Sequence, residues 1–400
     1  METIDDGGLH CVDGILLGSA RCGIKTHSEQ PDVALVLSEA PASAAGVFTR
    51  NAFAAAPVLW CRRLLPTDSA RAVLINAGNA NACTGEQGER DVRASTGLVA
   101  DLVSAAPEQV LAASTGIIGH PLPMDKLTRG IRDAAESLGA EREAALAAER
   151  AIMTTDTHPK ACAVRSQIDG LPFHVAGMAK GSGMIAPHMA TMLCLVATDA
   201  AVPPSLLDRH LREAADLTFN RITVDGDTST NDSVIMLATG TSGVRIRTGT
   251  NAEGAFRPAL QAVLADLAQQ VVRDGEGATK LLTVSVEGAA DAGAAETAAR
   301  AVAESQLVKC AVYGGDPNWG RIVCAVGYSG VPVQPHRVSV DLGGVRVFAG
   351  GTPTGDDASG EMQGPDVRVT IRLGDGPGEA AIQTCDLTEE YVRINAEYHT

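Results

Sequence analysis

The stretch "KGSGMIAPHMATMLCLVATDA", residues 180–200, decides how the chain is read. Its front half is rich in glycine, its back half is apolar, and Thr191 follows a small residue, Ala190. Three readings compete. "GSGMIA" (181–186) fits a loose G-x-G-x-x-A phosphate turn after a strand-like run. The lysine precedes the glycines, however, so the Walker order is missing, and no second strand–helix unit follows as a dinucleotide fold requires. "TMLCLVATDA" reads more simply as a buried strand entered through a tight glycine turn. The third reading is compatible with the second. A threonine hydroxyl can attack the preceding carbonyl, cut the chain at Ala190–Thr191 and expose an amino terminus. An α-amine with a pKa near ~8 can then act as base for its own hydroxyl. An Ala-Thr pair alone does not choose among these, so the rest of the chain must.

The 400 residues carry a net charge of −16, 45% hydrophobic and 20% charged side chains, and only 3% aromatics. The core must therefore be built from Ala, Val, Leu and Ile. No basic face for nucleic acid is visible. Nine scattered cysteines, with no C-x-x-C pair, read as reduced thiols of a cytoplasmic protein. "METIDDGGLHCVDG" lacks the basic flank and apolar run of a signal peptide, and no apolar run reaches the ~18 residues of a membrane span. The nine histidines include no H-E-x-x-H and no close pair, so no metal or cofactor is expected.

Strand-like runs at 33–39, 72–78, 173–179, 233–240, 281–288, 337–342, 367–373 and 380–387 come in blocks, several with period-two alternation. Helical patterns are expected at 125–152, 204–219, 255–273 and 292–305. Strict strand–helix alternation is missing, which predicts α+β rather than a doubly wound parallel sheet. The glycine-rich stretch 350–366 is expected as an exposed hairpin or insertion.

"KGSGMIAPHMATML" resembles the self-cleavage site of the ornithine acetyltransferase family, also called glutamate N-acetyltransferases. "GVFTRNAFAAAPVLW" (46–60), "NAGNANACTG" (76–85), "ASTGIIG" (113–119), "AIMTTDT" (151–157), "GDTSTND" (226–232), "DGEGATK" (274–280), "DPNWGRI" (316–322) and "CDLTEEYVRINAEYHT" (385–400) resemble family segments in family order. One departure is His188, where family members often carry Asn. The resemblance implies a four-layer αββα sandwich of the self-processing N-terminal nucleophile type. It implies an α chain of residues 1–190 and a β chain of residues 191–400, intertwined in one catalytic unit and paired as α2β2 or larger. Thr191 would be both cleavage nucleophile and acyl acceptor, and Thr115 and Gly116 would form the oxyanion hole. Thr154 (or its neighbour Thr155), Lys180, Glu276, Asn395 and Thr400 would bind substrate.

The implied reaction is ping-pong acetyl transfer from N2-acetyl-L-ornithine to L-glutamate, in arginine biosynthesis or a related secondary pathway. The residue types suit it. A backbone N–H at Gly116 and a hydroxyl at Thr115 are donors for the negative charge that grows on the acyl oxygen. Both amino acids carry an α-carboxylate that one lysine can hold. Glu276 suits the side-chain ammonium of ornithine but not the side-chain carboxylate of glutamate. "GDTSTND" is expected as a hydrogen-bonded scaffold near the site, and "DPNWGR" as a structural turn. Three alternatives stay open: acetyl-CoA as a second donor, an N-terminal nucleophile aminopeptidase or amidase of the same fold, and an uncleaved binding module for acidic amino acids.

Overall fold

A computed structural model describes residues 1–26, 28–186 and 192–397. Among them, nine strands form one sheet: β1 (Glu2–Thr3), β2 (Ile15–Ala20), β3 (Val33–Phe48), β4 (Thr67–Asn79), β5 (Val110–Ile117), β6 (Lys160–Ile168), β7 (Leu171–Lys180), β8 (Leu193–Thr198) and β9 (Ser233–Ala238). The order is β1-β6-β7-β8-β9-β3-β4-β5, with β2 on β3. The 16-residue β3 belongs to both halves: Val33–Leu37 pairs with β2 and β4, and Ser43–Phe48 pairs with β9. Its register shifts between Leu37 and Ala42, where Pro41 lies and a ladder N–H is missing.

Period-two alternation turns this bent sheet into two stacked layers. Ala34, Val36, Val73, Ile75 and Leu111 of one half share a core with Ala176, Met178, Leu193, Leu195, Ala197, Ile235 and Leu237 of the other. The alternate residues face outward. Val33, Leu35, Leu37, Ala72, Leu74 and Val110 pack with Val99 and Ala100, and with Leu127, Ile131 and Ala134. These apolar residues belong to α2 (Gly85–Leu102) and α3 (Met124–Glu136), which follow α1 (Ala56–Leu64). On the opposite side Val175, Cys194, Val196, Val234 and Met236 pack with Leu207, Leu211, Phe256, Leu260, Val263, Leu264 and Leu267. Those residues lie on α5 (Pro204–Leu217) and α6 (Asn251–Arg273), which come after α4 (Arg142–Ile152). Helix, sheet, sheet, helix is the order of layers, an α+β sandwich of the αββα kind.

A second sheet, β10 (Leu281–Ala289), β11 (Ser339–Leu342), β12 (Val345–Ala349), β13 (Thr352–Pro353), β14 (Asp366–Arg372) and β15 (Gly378–Cys385), builds its own core with α7 (Ala292–Ala303), α8 (Gln306–Tyr313) and α9 (Trp319–Tyr328). The chain then returns to the sandwich through α10 (Glu389–Glu397).

The expected helix 125–152 is two helices, α3 and α4, separated at 137–141. In that break Gly139 bridges to Leu17 of β2, with backbone bonds of 2.8 and 3.0 Å, so a sheet edge interrupts the helical pattern. Helices α1, α2, α8, α9 and α10 lie outside the expected helical patterns. Helix α2 contains three glycines, a serine and a threonine, yet buries Val92, Ser95, Thr96 and Val99 on one face. "DPNWGR" is a turn whose Asn318 caps α9, its side chain accepting from Arg321 N at 3.1 Å. Within 350–366 lie the short strand β13 and a turn of 3-10 helix, Ser359–Met362.

Candidate active site

A cavity of about 120 Å³ opens where the two halves of the bent sheet meet. Thr115, Gly116, Thr154, Lys180, Glu276 and Asn395 line it, drawn from segments up to 280 residues apart. Thr155 lines it as well. Ala190, Thr191 and Thr400 lie outside the described residues. No helix among the described residues is long and apolar enough to cross a membrane.

Thr115 and Gly116 end β5, which runs parallel to β4 and pairs them with Ala77 and Gly78. Gly116 has φ +129°, and a Cβ there would lie 2.3 Å from the Gly78 carbonyl carbon. Only glycine fits this close approach, which brings the strand end to the cavity wall.

Lys180 ends β7 opposite Leu193, the first residue of β8. It is 3% exposed, and its Nζ stands 3.7 Å from Asp156 Oδ2. Burial pushes the Lys180 ammonium below its ordinary range, and Asp156 works against that. Burial also opposes the charge on Asp156, but Lys180 and Lys160 outweigh it and hold the carboxyl well below the usual carboxylate range. An aspartate so depressed stabilises the fold above its unfolded pKa of about 4, and that contribution is lost as pH falls below it.

The glycine turn after Lys180 makes room for the acid. A Cβ on Gly183 would stand 2.5 Å from the Glu276 carboxylate. Glu276 N donates to Ser182 O at 2.8 Å, and Glu276 Oε2 accepts Asn395 Nδ2 at 2.7 Å. Helix α10 is itself tied to the turn. Tyr391 OH donates to Asp225 Oδ2 at 3.2 Å, and Asp225 accepts the amides of Met184 and Ile185 at 2.6 and 2.8 Å. The C-terminal helix thus forms a wall of the site. Thr154 N donates to Asp156 Oδ2 at 2.9 Å, and the Thr155 hydroxyl bonds that of Ser182 at 2.7 Å.

The hydroxyl-rich "GDTSTND" segment does reach the site: Ser229 and Asn231 line the cavity. Asn231 Nδ2 donates to Ala80 O at 2.6 Å and Ser114 O at 2.8 Å, bracing the loop before β9 against the end of β5. Sequence reasoning missed Asp156, Lys160 and Lys25. Lys25 Nζ donates to Ala151 O at 3.2 Å and Met153 O at 2.9 Å, holding the end of α4 just before Thr154. Burial brings this ammonium down to about 8.

Asp232, the residue before β9, is fully buried. Its Oδ1 accepts the Met192 amide at 3.1 Å, while Ser233 N donates to Met192 O at 3.1 Å. Burial pushes its carboxyl far above the usual range, against Met192 and Lys180. A raised carboxyl costs stability as pH climbs from its unfolded value toward the folded one. Asp232→Asn keeps an acceptor for Met192 and removes that cost. We expect its melting midpoint at pH 8 to rise by about 2 °C or more, with the gain gone near pH 4. Equal midpoints at pH 8 would contradict a raised Asp232 carboxyl.

Comparison with known proteins matches residues 16–400 to the ArgJ family profile. The arginine biosynthesis bifunctional protein ArgJ of Symbiobacterium thermophilum is 49% identical over 98% of this chain and 99% of its own. Its counterpart in Geobacter sulfurreducens is 47% identical over 92% of this chain and 95% of its own. The crystal structure of the Bacillus halodurans argJ protein aligns with TM-score 0.49 and 42% identity, covering 51% of this chain and 98% of that one. With a family profile and relatives that run nearly end to end, the chain belongs to the ArgJ family.

Proposed function

We propose that this chain is a glutamate N-acetyltransferase of arginine biosynthesis. It matures by cutting itself at Ala190–Thr191 and carries acetyl from N2-acetyl-L-ornithine to L-glutamate on Thr191. The observation that carries this reading is the single cavity that gathers Thr115, Gly116, Thr154, Lys180, Glu276 and Asn395.

The roles follow from chemistry. The free α-amine of Thr191 takes the proton of its own hydroxyl, and Oγ bonds to the acetyl carbonyl carbon. Thr115 Oγ and Gly116 N–H receive the developing oxyanion. The tetrahedral adduct collapses, the C–N bond breaks, and ornithine leaves with the proton on its α-nitrogen. The amine of glutamate then attacks the acetyl ester, and the Thr191 hydroxyl is restored. Lys180 holds the α-carboxylate common to both amino acids, and Glu276 holds the ornithine side-chain ammonium. Asn395 and Thr154, with Thr400 at the chain end, supply neutral hydrogen bonds that serve either substrate.

The two chains, 1–190 and 191–400, stay together because the sheet needs both: β7 pairs with β8, and β3 with β9. The working unit is two or more such αβ pairs in the cytoplasm. That its relatives are named bifunctional supports a second activity, for which acetyl-CoA is the candidate donor to glutamate.

The test is incubation of purified protein with N-acetylornithine, with and without glutamate, followed by intact mass. Transfer predicts a transient gain of one acetyl group on the second chain and acetylglutamate only when glutamate is present. Acetate released regardless of glutamate would instead indicate a hydrolase. Acetylglutamate formed from acetyl-CoA alone would establish the second donor. Lys180→Met is expected to raise KM for donor and acceptor alike by roughly 10- to 100-fold, the scale of a lost charge-assisted bond. An effect on one substrate only would refute the shared-carboxylate role.

A further inference from the structure

We propose that Lys160 is a positioning residue for substrate binding: by occupying Asp156 it leaves the Lys180 ammonium held in place with its N–H donors free for an α-carboxylate. This rests on the reading of Lys180 given above.

Lys160 is a fully buried side chain outside the cavity. Its Nζ donates to Asp156 Oδ1 at 2.7 Å, Asp274 Oδ2 at 2.5 Å and the His158 carbonyl at 3.4 Å, which uses all three of its protons. Asp156 Oδ1 also accepts Gly181 N at 2.7 Å, and Oδ2 accepts Thr154 N at 2.9 Å. Asp156 thus ties the glycine turn, the threonine loop and Lys160 together.

Lys180 is the outlier in this group. Its Nζ is 3.7 Å from Asp156 Oδ2, beyond hydrogen-bond range, and it makes no hydrogen bond to any described residue. A buried ammonium with an aspartate at that distance would ordinarily close onto it, since unpaired buried charge is costly. It does not because Asp156 already accepts Lys160 and Gly181 on Oδ1 and Thr154 on Oδ2, and its charge is shared with a second cation. Asp274 in turn balances Lys160, accepting Thr157 N at 3.0 Å as well. Lys160, Asp156 and Asp274 form a hydrogen-bonded cluster beside which the Lys180 ammonium keeps its donors. An arriving carboxylate finds attraction without having to displace a direct hydrogen bond from Lys180 to Asp156.

Binding of L-ornithine and L-glutamate by calorimetry tests this in the mature wild type, Lys180→Met, Lys160→Met and the charge-balanced Lys160→Met/Asp156→Asn. Lys160→Met frees Asp156 to capture Lys180 and should weaken both ligands by about tenfold or more, the scale of losing a charged hydrogen bond. Removing the aspartate charge as well should restore affinity to within about threefold of wild type, because Lys180 is released again. A merely structural lysine would give no such rescue. Wild-type affinity in Lys160→Met, or equal weakness of the single and double variants, overturns the proposal. Unchanged binding in Lys180→Met would instead overturn the role of Lys180 itself. Should Lys160→Met not fold, Lys160→Gln takes its place, and the same outcomes decide.

Discussion

Thr191→Ala is expected to yield one unbroken chain of 41.1 kDa with no acetyl transfer. In the proposed mechanism one hydroxyl serves both reactions, so its loss should abolish both. Alanine cannot attack the Ala190 carbonyl, and no new amino terminus forms to act as base. Loss of a nucleophile that works as a unit with its base typically costs about 10⁴-fold or more in kcat. The sandwich itself should survive, because β8 begins at Leu193 and its inward residues Leu193, Leu195 and Ala197 are untouched. Thr191→Ser keeps a hydroxyl and should still cut. A denaturing gel with intact mass reads the result, and terminal sequencing of the wild-type second chain should begin Thr-Met-Leu. Two fragments at the same junction in the alanine variant would remove Thr191 from the mechanism.

The second large effect is expected at the end of β5. Thr115→Val has nearly the same shape but no hydroxyl, so the fold should hold while one proposed oxyanion donor disappears. Removing one such donor costs roughly 10²- to 10³-fold in kcat, or about 3–4 kcal/mol, because the bond matters chiefly when charge has grown on the oxygen. KM should change little. Gly116→Ala tests the same wall differently. Its Cβ would be forced against the Gly78 backbone at 2.3 Å, in a φ region that costs side-chain-bearing residues about 1–3 kcal/mol. The strand end must move, so both melting temperature and kcat should fall. A Thr115→Val enzyme with wild-type kcat, or one altered in KM alone, would show that the hydroxyl binds ground-state substrate instead.

Much of the site was legible in motifs that resemble those of a known family. Gly116, Lys180 and Glu276 sit in short motifs whose order along the chain is specific, and the cavity contains all three. Lys160 was not legible. Nothing in "TDTHPKACAV" distinguishes a fully buried lysine from a solvated one, since its partners are Asp156, four residues before it, and Asp274, in a different loop. The helix expected over 125–152 failed for a related reason. Its periodicity is local, but the break at Gly139 is made by β2, more than a hundred residues earlier. Helix α2 escaped notice because burial against the sheet outweighs the weak propensity of its glycines and hydroxyl residues.

What the amino-acid sequence offered by itself is a set of candidates for acyl transfer: a small residue before a threonine, a strand behind it, and a hydroxyl, glycine, lysine and carboxylate in motifs that resemble a known family. Period-two alternation also set which face of each strand is apolar, because successive side chains on a strand must point to opposite sides. Only the tertiary structure decided that β3 bends, that its two halves stack, and that a C-terminal helix closes the cavity. Those outcomes rest on contacts between residues far apart in the chain, and their energy exists only once both partners have been brought together and dehydrated.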